Sequence, residues 1–251
     1  MVTIPSPLRR AIRSCHHTAA GLLAFLRRPR IEANENLSIG NRFSIGAGLF
    51  AISLAVTAVF GLLALPIILA TDLTTGERLN EALAGSAWSV MLAVVLIGPL
   101  VEEIIFRGWL SGTWRAVFAS ALALGTIYAG SAIVDPYFAE GSAVKSGLLA
   151  LGAVAIVLGL SPLDRGRRIV GFGQAFPTIF YVQAIIFGAL HFTNYAATSP
   201  VIALVATLPL VACGLIWGYA RIRLGFASAV MLHAAYNVPA AMGSVFLMQS
   251  N

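Results

Sequence analysis

"IGPLVEEIIFRGWL", Ile97 to Leu110, closes the second long apolar run of the chain, and its reading decides the fold. Two adjacent carboxylates and a guanidinium, Glu102, Glu103 and Arg107, stand where a membrane-spanning helix is expected to be apolar. A charged side chain at that depth costs about 3 kcal/mol on insertion scales, so it faces a protein interior and acts there. The run is one of several. The chain has 251 residues, 59% of them hydrophobic and only 10% charged, with a mean hydropathy of +0.88. Soluble domains carry roughly 25% charged residues, and about 20 mostly apolar residues cross a bilayer as a helix. A β-barrel would show alternating segments of about 10 residues, which are missing here. The fold class is therefore all-α, a polytopic transmembrane helical bundle.

Seven spans are predicted, over 44–70, 87–113, 115–134, 144–161, 175–195, 198–219 and 225–247. Residues 1–43 form a separate basic segment, with seven arginines up to Arg42 against Glu32 and Glu35. Its apolar stretch "TAAGLLAFL" is too short to span and lacks a small-residue cleavage site. The segment is expected either to lie on the lipid surface or to be a disordered tail. Loop charges alternate in sign along the chain. Asp72, Glu77 and Glu81 are followed by Arg115, and Asp135 and Glu140 by Arg165, Arg167 and Arg168; an uncharged turn near 196 precedes Arg221 and Arg223. Basic loops stay cytoplasmic, which places the N-terminus inside and the C-terminus outside. The net charge of +6 thus reads as topology rather than as a nucleic-acid surface. Cys15 and Cys213 give no disulfide framework, "CHH" at Cys15 to His17 offers too few metal ligands, and Gly214 with Gly218 forms one weak GxxxG packing signal.

Few other strongly polar side chains fall inside the spans: His191 in "IIFGALHF", His233 and Asn237 in "VMLHAAYN", and the less telling Gln183 and Asn194. Residues four apart share a helix face, so Glu103 pairs with Arg107, and His233 stands beside Asn237. Glu102 points about 100° away from Glu103 and is left without that partner. Phe187 sits one turn before His191 and shields it. Counted from Arg115, Pro177 and Arg223, the groups Glu102, His191 and His233 lie roughly 20, 21 and 15 Å from the inner edge. Three spans therefore bring ionisable groups to similar depth, as one polar site requires. Each piece alone has a bland reading, a Glu–Arg pair or a His–Asn pair pinning helices together. In combination they are the parts for peptide-bond hydrolysis by activated water, with Glu102 taking the proton, a histidine orienting the water, and a histidine and amide donating to the oxyanion.

"EEIIFR", "FGALH" and "HAAYN" match E-E-x-x-x-R, F-x-x-x-H and H-x-x-x-N in order. The sequence resembles the CAAX protease and bacteriocin-processing family, the Abi-type intramembrane glutamic endopeptidases, over about Met91 to Val238. The resemblance implies that Glu102 is the water-activating base and His191 its partner, with His233 and Asn237 forming the oxyanion site and Glu103, Arg107 and Phe187 supporting. It implies no cofactor and no catalytic metal. Zinc held by Glu102, His191 and His233 is the alternative, although H-E-x-x-H is absent. The resemblance also implies as partners protein or peptide substrates, membrane-associated ones included, and the lipid bilayer, with no nucleic acid.

One stretch departs from the family pattern. His191 follows Arg107 by 84 residues, where family members use a hairpin of about 30, so residues 115–161 read as a two-span insertion within a protease domain of 44–251. Two spans restore the sidedness. The arginine-for-lysine bias points to the cell membrane of a prokaryote. Two other functions fit a polar membrane core: a proton-coupled transporter and a non-catalytic bacteriocin-immunity or scaffold protein.

Overall fold

The structure is a computed structural model that describes residues 6–31, 37–71, 73–76, 80, 86–134, 148–149, 151–152, 155, 166–197 and 199–249. Helices dominate: α1 (Ser6–Arg27), α2 (Ile39–Ala70), α3 (Ala87–Arg107), α4 (Trp114–Val134), α5 (Phe172–Leu190), α6 (Pro200–Ala206), α7 (Leu208–Leu224) and α8 (Phe226–Gln249). The all-α expectation needs one small correction. Thr74–Thr75 (β1) pairs antiparallel with Tyr195–Ala196 (β2), Thr74 opposite Ala196. Two stretches read as loops meet there because each leaves backbone groups that a short ladder satisfies.

Four helical segments are long and apolar enough to cross a membrane: Ile39–Ala70, Ala87–Arg107, Phe172–Asn194 and Pro200–Leu224. The expected spans 115–134 and 225–247 coincide with α4 and α8, which are long enough but are not among those four. The expected span 144–161 falls almost wholly outside the described residues. On α2, Leu62, Leu63 and Leu69 are each about 70% exposed or more. In water that apolar face would be a liability, whereas in lipid it is the matching surface.

The chain divides into two compact units. The first comprises residues 1–72, 176–192 and 197–232. In it α2 packs along α7, and α1 lies against both. The basic N-terminal segment is thus helical, with Leu22 and Phe25 buried and the Phe25 ring 5.0 Å from those of Phe180 and Tyr219. Trp217 is fully buried and its indole N–H donates to Ser53 Oγ at 3.3 Å. The GxxxG pair serves close approach: a Cβ at Gly214 would stand 3.2 Å from Ala184 Cα, and one at Gly218 2.8 Å from a Phe180 ring carbon. Apolar lipid offers helices little hydrophobic incentive to associate, so such backbone proximity supplies the packing energy.

The second unit comprises residues 73–175, 193–196 and 233–251. Here α3 ends in a buried turn that reverses the chain into α4. Thr113 caps α4 by accepting from Ala116 N–H at 3.2 Å, and Gly112 takes φ +66°, where a Cβ would collide with the Phe172 ring. Residues 167–169 pair with this turn, Ile169 N–H donating to Gly112 O at 2.9 Å. Helix α5 starts at Phe172, three residues before the expected span 175–195, and Pro177 lies inside the helix. Its ring faces the carbonyl of residue 173, a glycine with open space around its Cβ position.

Candidate functional site

The chemistry-bearing carboxylates stand on α3, and α3 is irregular where it must be. Residues Leu92–Ile97 form a π-helical turn between two α-helical stretches. Gly98 N–H bonds to Ala93 O, five residues back rather than four, and a Cβ at Gly98 would approach that carbonyl to 3.0 Å. The next residue, Pro99, has no N–H to give. Val94 O is consequently denied its usual helical donor and accepts instead from the side-chain amide of Asn237, Nδ2 to O 2.9 Å. Single π turns inside α-helices recur at functional sites because they re-aim the side chains that follow.

One turn further, Glu103 and Arg107 form the expected i,i+4 ion pair, both side chains fully buried. His233, on α8 and only 3% exposed, donates from Nδ1 to Glu103 Oε1 at 3.0 Å. An ionised Glu103 paired with arginine can only accept, which sets that ring nitrogen as the N–H. The other ring nitrogen, Nε2, lies 3.7 Å from Glu102 Oε2. The Glu102 side chain is 32% exposed, whereas that of Glu103 is fully buried. One imidazole thus addresses both carboxylates through its two nitrogens.

Within this second unit the structure brings together five of the sequence-predicted residues: Glu102, Glu103, Arg107, His233 and Asn237. Sequence spacing paired His233 with Asn237 on one helix face, and it missed that His233 bridges the glutamates and that Asn237 clasps Val94. The Gly98–Pro99 dipeptide inside a span was the available signal for the second contact.

His191 belongs to the first unit. It opens a 3-10 turn, His191–Asn194, just past the end of α5. Its Nδ1–H donates to Phe187 O at 2.7 Å, and the buried Phe187 ring lies 4.8 Å from the imidazole, as expected of a shield. A carbonyl can only accept, so Nδ1 carries the hydrogen of this bond. Gln183 is buried with its amide donating to Phe180 O at 3.1 Å, and Asn194 offers its backbone carbonyl to Gly76 N–H at 2.8 Å.

The pattern of one protein family matches residues 84–239, the stretch that holds every one of these groups: type II CAAX prenyl endopeptidase Rce1-like. The match covers more than half of the chain. The chain belongs to the Rce1-like family. No curated protein and no solved structure matches it. Membership of the Rce1-like family makes this a peptidase by kinship, and with four apolar spanning helices it is an integral membrane protein. The three motif segments, on α3, at the end of α5 and on α8, all lie within the matched stretch. The transporter and immunity readings draw no support from that kinship.

Proposed function

We propose that this protein is an intramembrane endopeptidase that cleaves protein or peptide substrates by a glutamate-activated water. The observation that carries the reading is the His233 imidazole set between Glu103 at 3.0 Å and Glu102 at 3.7 Å. It occurs in a chain of an endopeptidase family.

In this mechanism Glu102 takes a proton from water as the water oxygen attacks the scissile carbonyl carbon. The C=O π pair moves onto oxygen, giving a tetrahedral oxyanion. His233 keeps Nδ1–H on Glu103 and turns its Nε2 edge to that oxyanion. The second Nδ2 hydrogen of Asn237, the first being spent on Val94 O, is the other donor. Collapse of the intermediate breaks the C–N bond, and the proton on Glu102 passes to the leaving amine. Arg107 keeps Glu103 ionised and thereby keeps His233 in place.

Metal-independent catalysis is part of the proposal. Glu102 and His233 face each other as two donors of a zinc site would, and zinc ligation is the competing scheme. The expected topology, N-terminus cytoplasmic and C-terminus outside in a prokaryotic cell membrane, places the active glutamate for substrates that approach through lipid or from the cytoplasm.

The test is turnover by purified protein. Glu102→Ala and Glu102→Gln are expected to lose cleavage of a membrane-protein substrate by about 10²-fold or more while unfolding at the wild-type temperature. Undiminished turnover in either variant would overturn the assignment.

A further inference from the structure

The short ladder of the second unit has two edges, and they differ. Thr74 faces Ala196, and Thr75 faces Tyr195. Hydrogen-bonded and non-hydrogen-bonded pairs alternate along an antiparallel ladder. The neighbouring Gly76 N–H donates to Asn194 O at 2.8 Å, so Thr75 and Tyr195 form the non-bonded pair. Their N–H and C=O groups therefore point out of the ladder, one donor and one acceptor on each edge. On the β1 edge Asn80 closes over the strand. Its Nδ2 donates to Thr75 O at 3.3 Å, and its N–H to Gly76 O at 3.0 Å. The β2 edge carries no such cap among the described residues, and Ala196 beside Tyr195 is exposed.

An outward donor and acceptor on a strand edge are what another extended chain pairs with. A peptidase of membrane substrates has a use for such an edge. A helical substrate keeps its carbonyls bonded within the helix, so the stretch to be cut must first unwind. Unwound backbone in hydrocarbon finds no water and needs partners on the protein. The ladder and the Glu102–His233 pair belong to the same compact unit. Strand β2 follows directly on the turn His191–Asn194, which opens with a motif histidine. We infer, resting on the peptidase reading, that Tyr195 N–H and C=O pair with the backbone of an extended substrate segment. That segment adds a third strand on the β2 edge, and main chain rather than side chains recognises it.

The test uses the full chain carrying Glu102→Gln, in neutral detergent, so that binding is read without cutting. The probe is a fluorescent, end-capped peptide of alternating valine and glycine, and its twin is N-methylated at every residue. Main-chain recognition is indifferent to sequence, so this probe suffices. Fluorescence anisotropy is expected to show the probe bound about ten-fold or more tighter than the twin. Bound probe is expected to slow hydrogen exchange at the Tyr195 amide by about ten-fold or more, read by mass spectrometry. Tyr195→Pro removes the outward N–H, which an edge strand tolerates, and is expected to weaken binding by a like factor. Should that variant fail to fold, exchange at the unsubstituted Tyr195 amide decides. No binding of the probe, equal binding of probe and twin, full binding by a folded Tyr195→Pro, or binding without slowed exchange at Tyr195 would each overturn the edge site. None of these readouts needs turnover, so they stand apart from the Glu102→Ala assay that decides the peptidase chemistry.

Discussion

The side-chain amide of Asn237 donates to the backbone carbonyl of Val94 at 2.9 Å, where the π turn and Pro99 have withdrawn the usual helical donor. One side chain on α8 thereby stabilises the irregular turn that aims Glu102 and Glu103. Asn237→Ala is expected to cost about 1–3 kcal/mol of stability, since it leaves a carbonyl without its donor. Asn237→Asp is expected to cost at least as much, acceptor facing acceptor. Thermal unfolding of the two variants checks this, and wild-type stability in both would contradict it.

The Glu103–Arg107 pair predicts a strongly non-additive result. Arg107→Met strands a buried carboxylate and is expected to cost about 3–5 kcal/mol. Adding Glu103→Gln removes the stranded charge and should recover at least half of that. A double-mutant cycle on unfolding free energy measures the coupling; additive costs would mean that the pair is not what holds these groups.

Close helix packing predicts a position-specific cost in the first unit. Gly218→Val places atoms into the Phe180 ring, whereas Gly61→Val on α2 meets open space. The first is expected to cost about 1–3 kcal/mol and to lower the yield of folded protein. The second should be silent by the same fluorescence-detected size-exclusion assay.

Metal independence predicts that turnover survives exhaustive dialysis against a high-affinity zinc chelator with less than about two-fold loss. Abolition by chelation, followed by recovery on adding zinc, would move Glu102 and His233 from water activation to metal ligation.

Sidedness predicts that a reporter fused after Asn251 reports from outside the cell and one fused before Met1 from the cytoplasm. This follows from the placement of Arg115, Arg165 to Arg168, and Arg221 with Arg223 in alternate loops. Both reporters on one side would break the odd span count.

The α3 carboxylates, the Glu103–Arg107 pair and the Phe187 shield over His191 were all legible in the chain, because each is a local relation set by 3.6 residues per turn. The start of α5 was not, since proline is at ease in a first helical turn and, inside a membrane, is also tolerated further in. The partners of His233 and Asn237 were hidden for a different reason. Their sequence separations from Glu103 and Val94 are 130 and 143 residues, and no periodicity reaches that far.

Composition and spacing settle that this protein lives in a membrane, that it is helical, and which few polar side chains it keeps there, because hydrocarbon admits no other backbone and penalises every charge. Which nitrogen meets which carboxylate, and that a carboxamide completes a broken helix turn, depends on packing between distant segments. Those contacts exist only once the chain has folded, when each buried polar group must find a partner from whatever the fold has carried within reach.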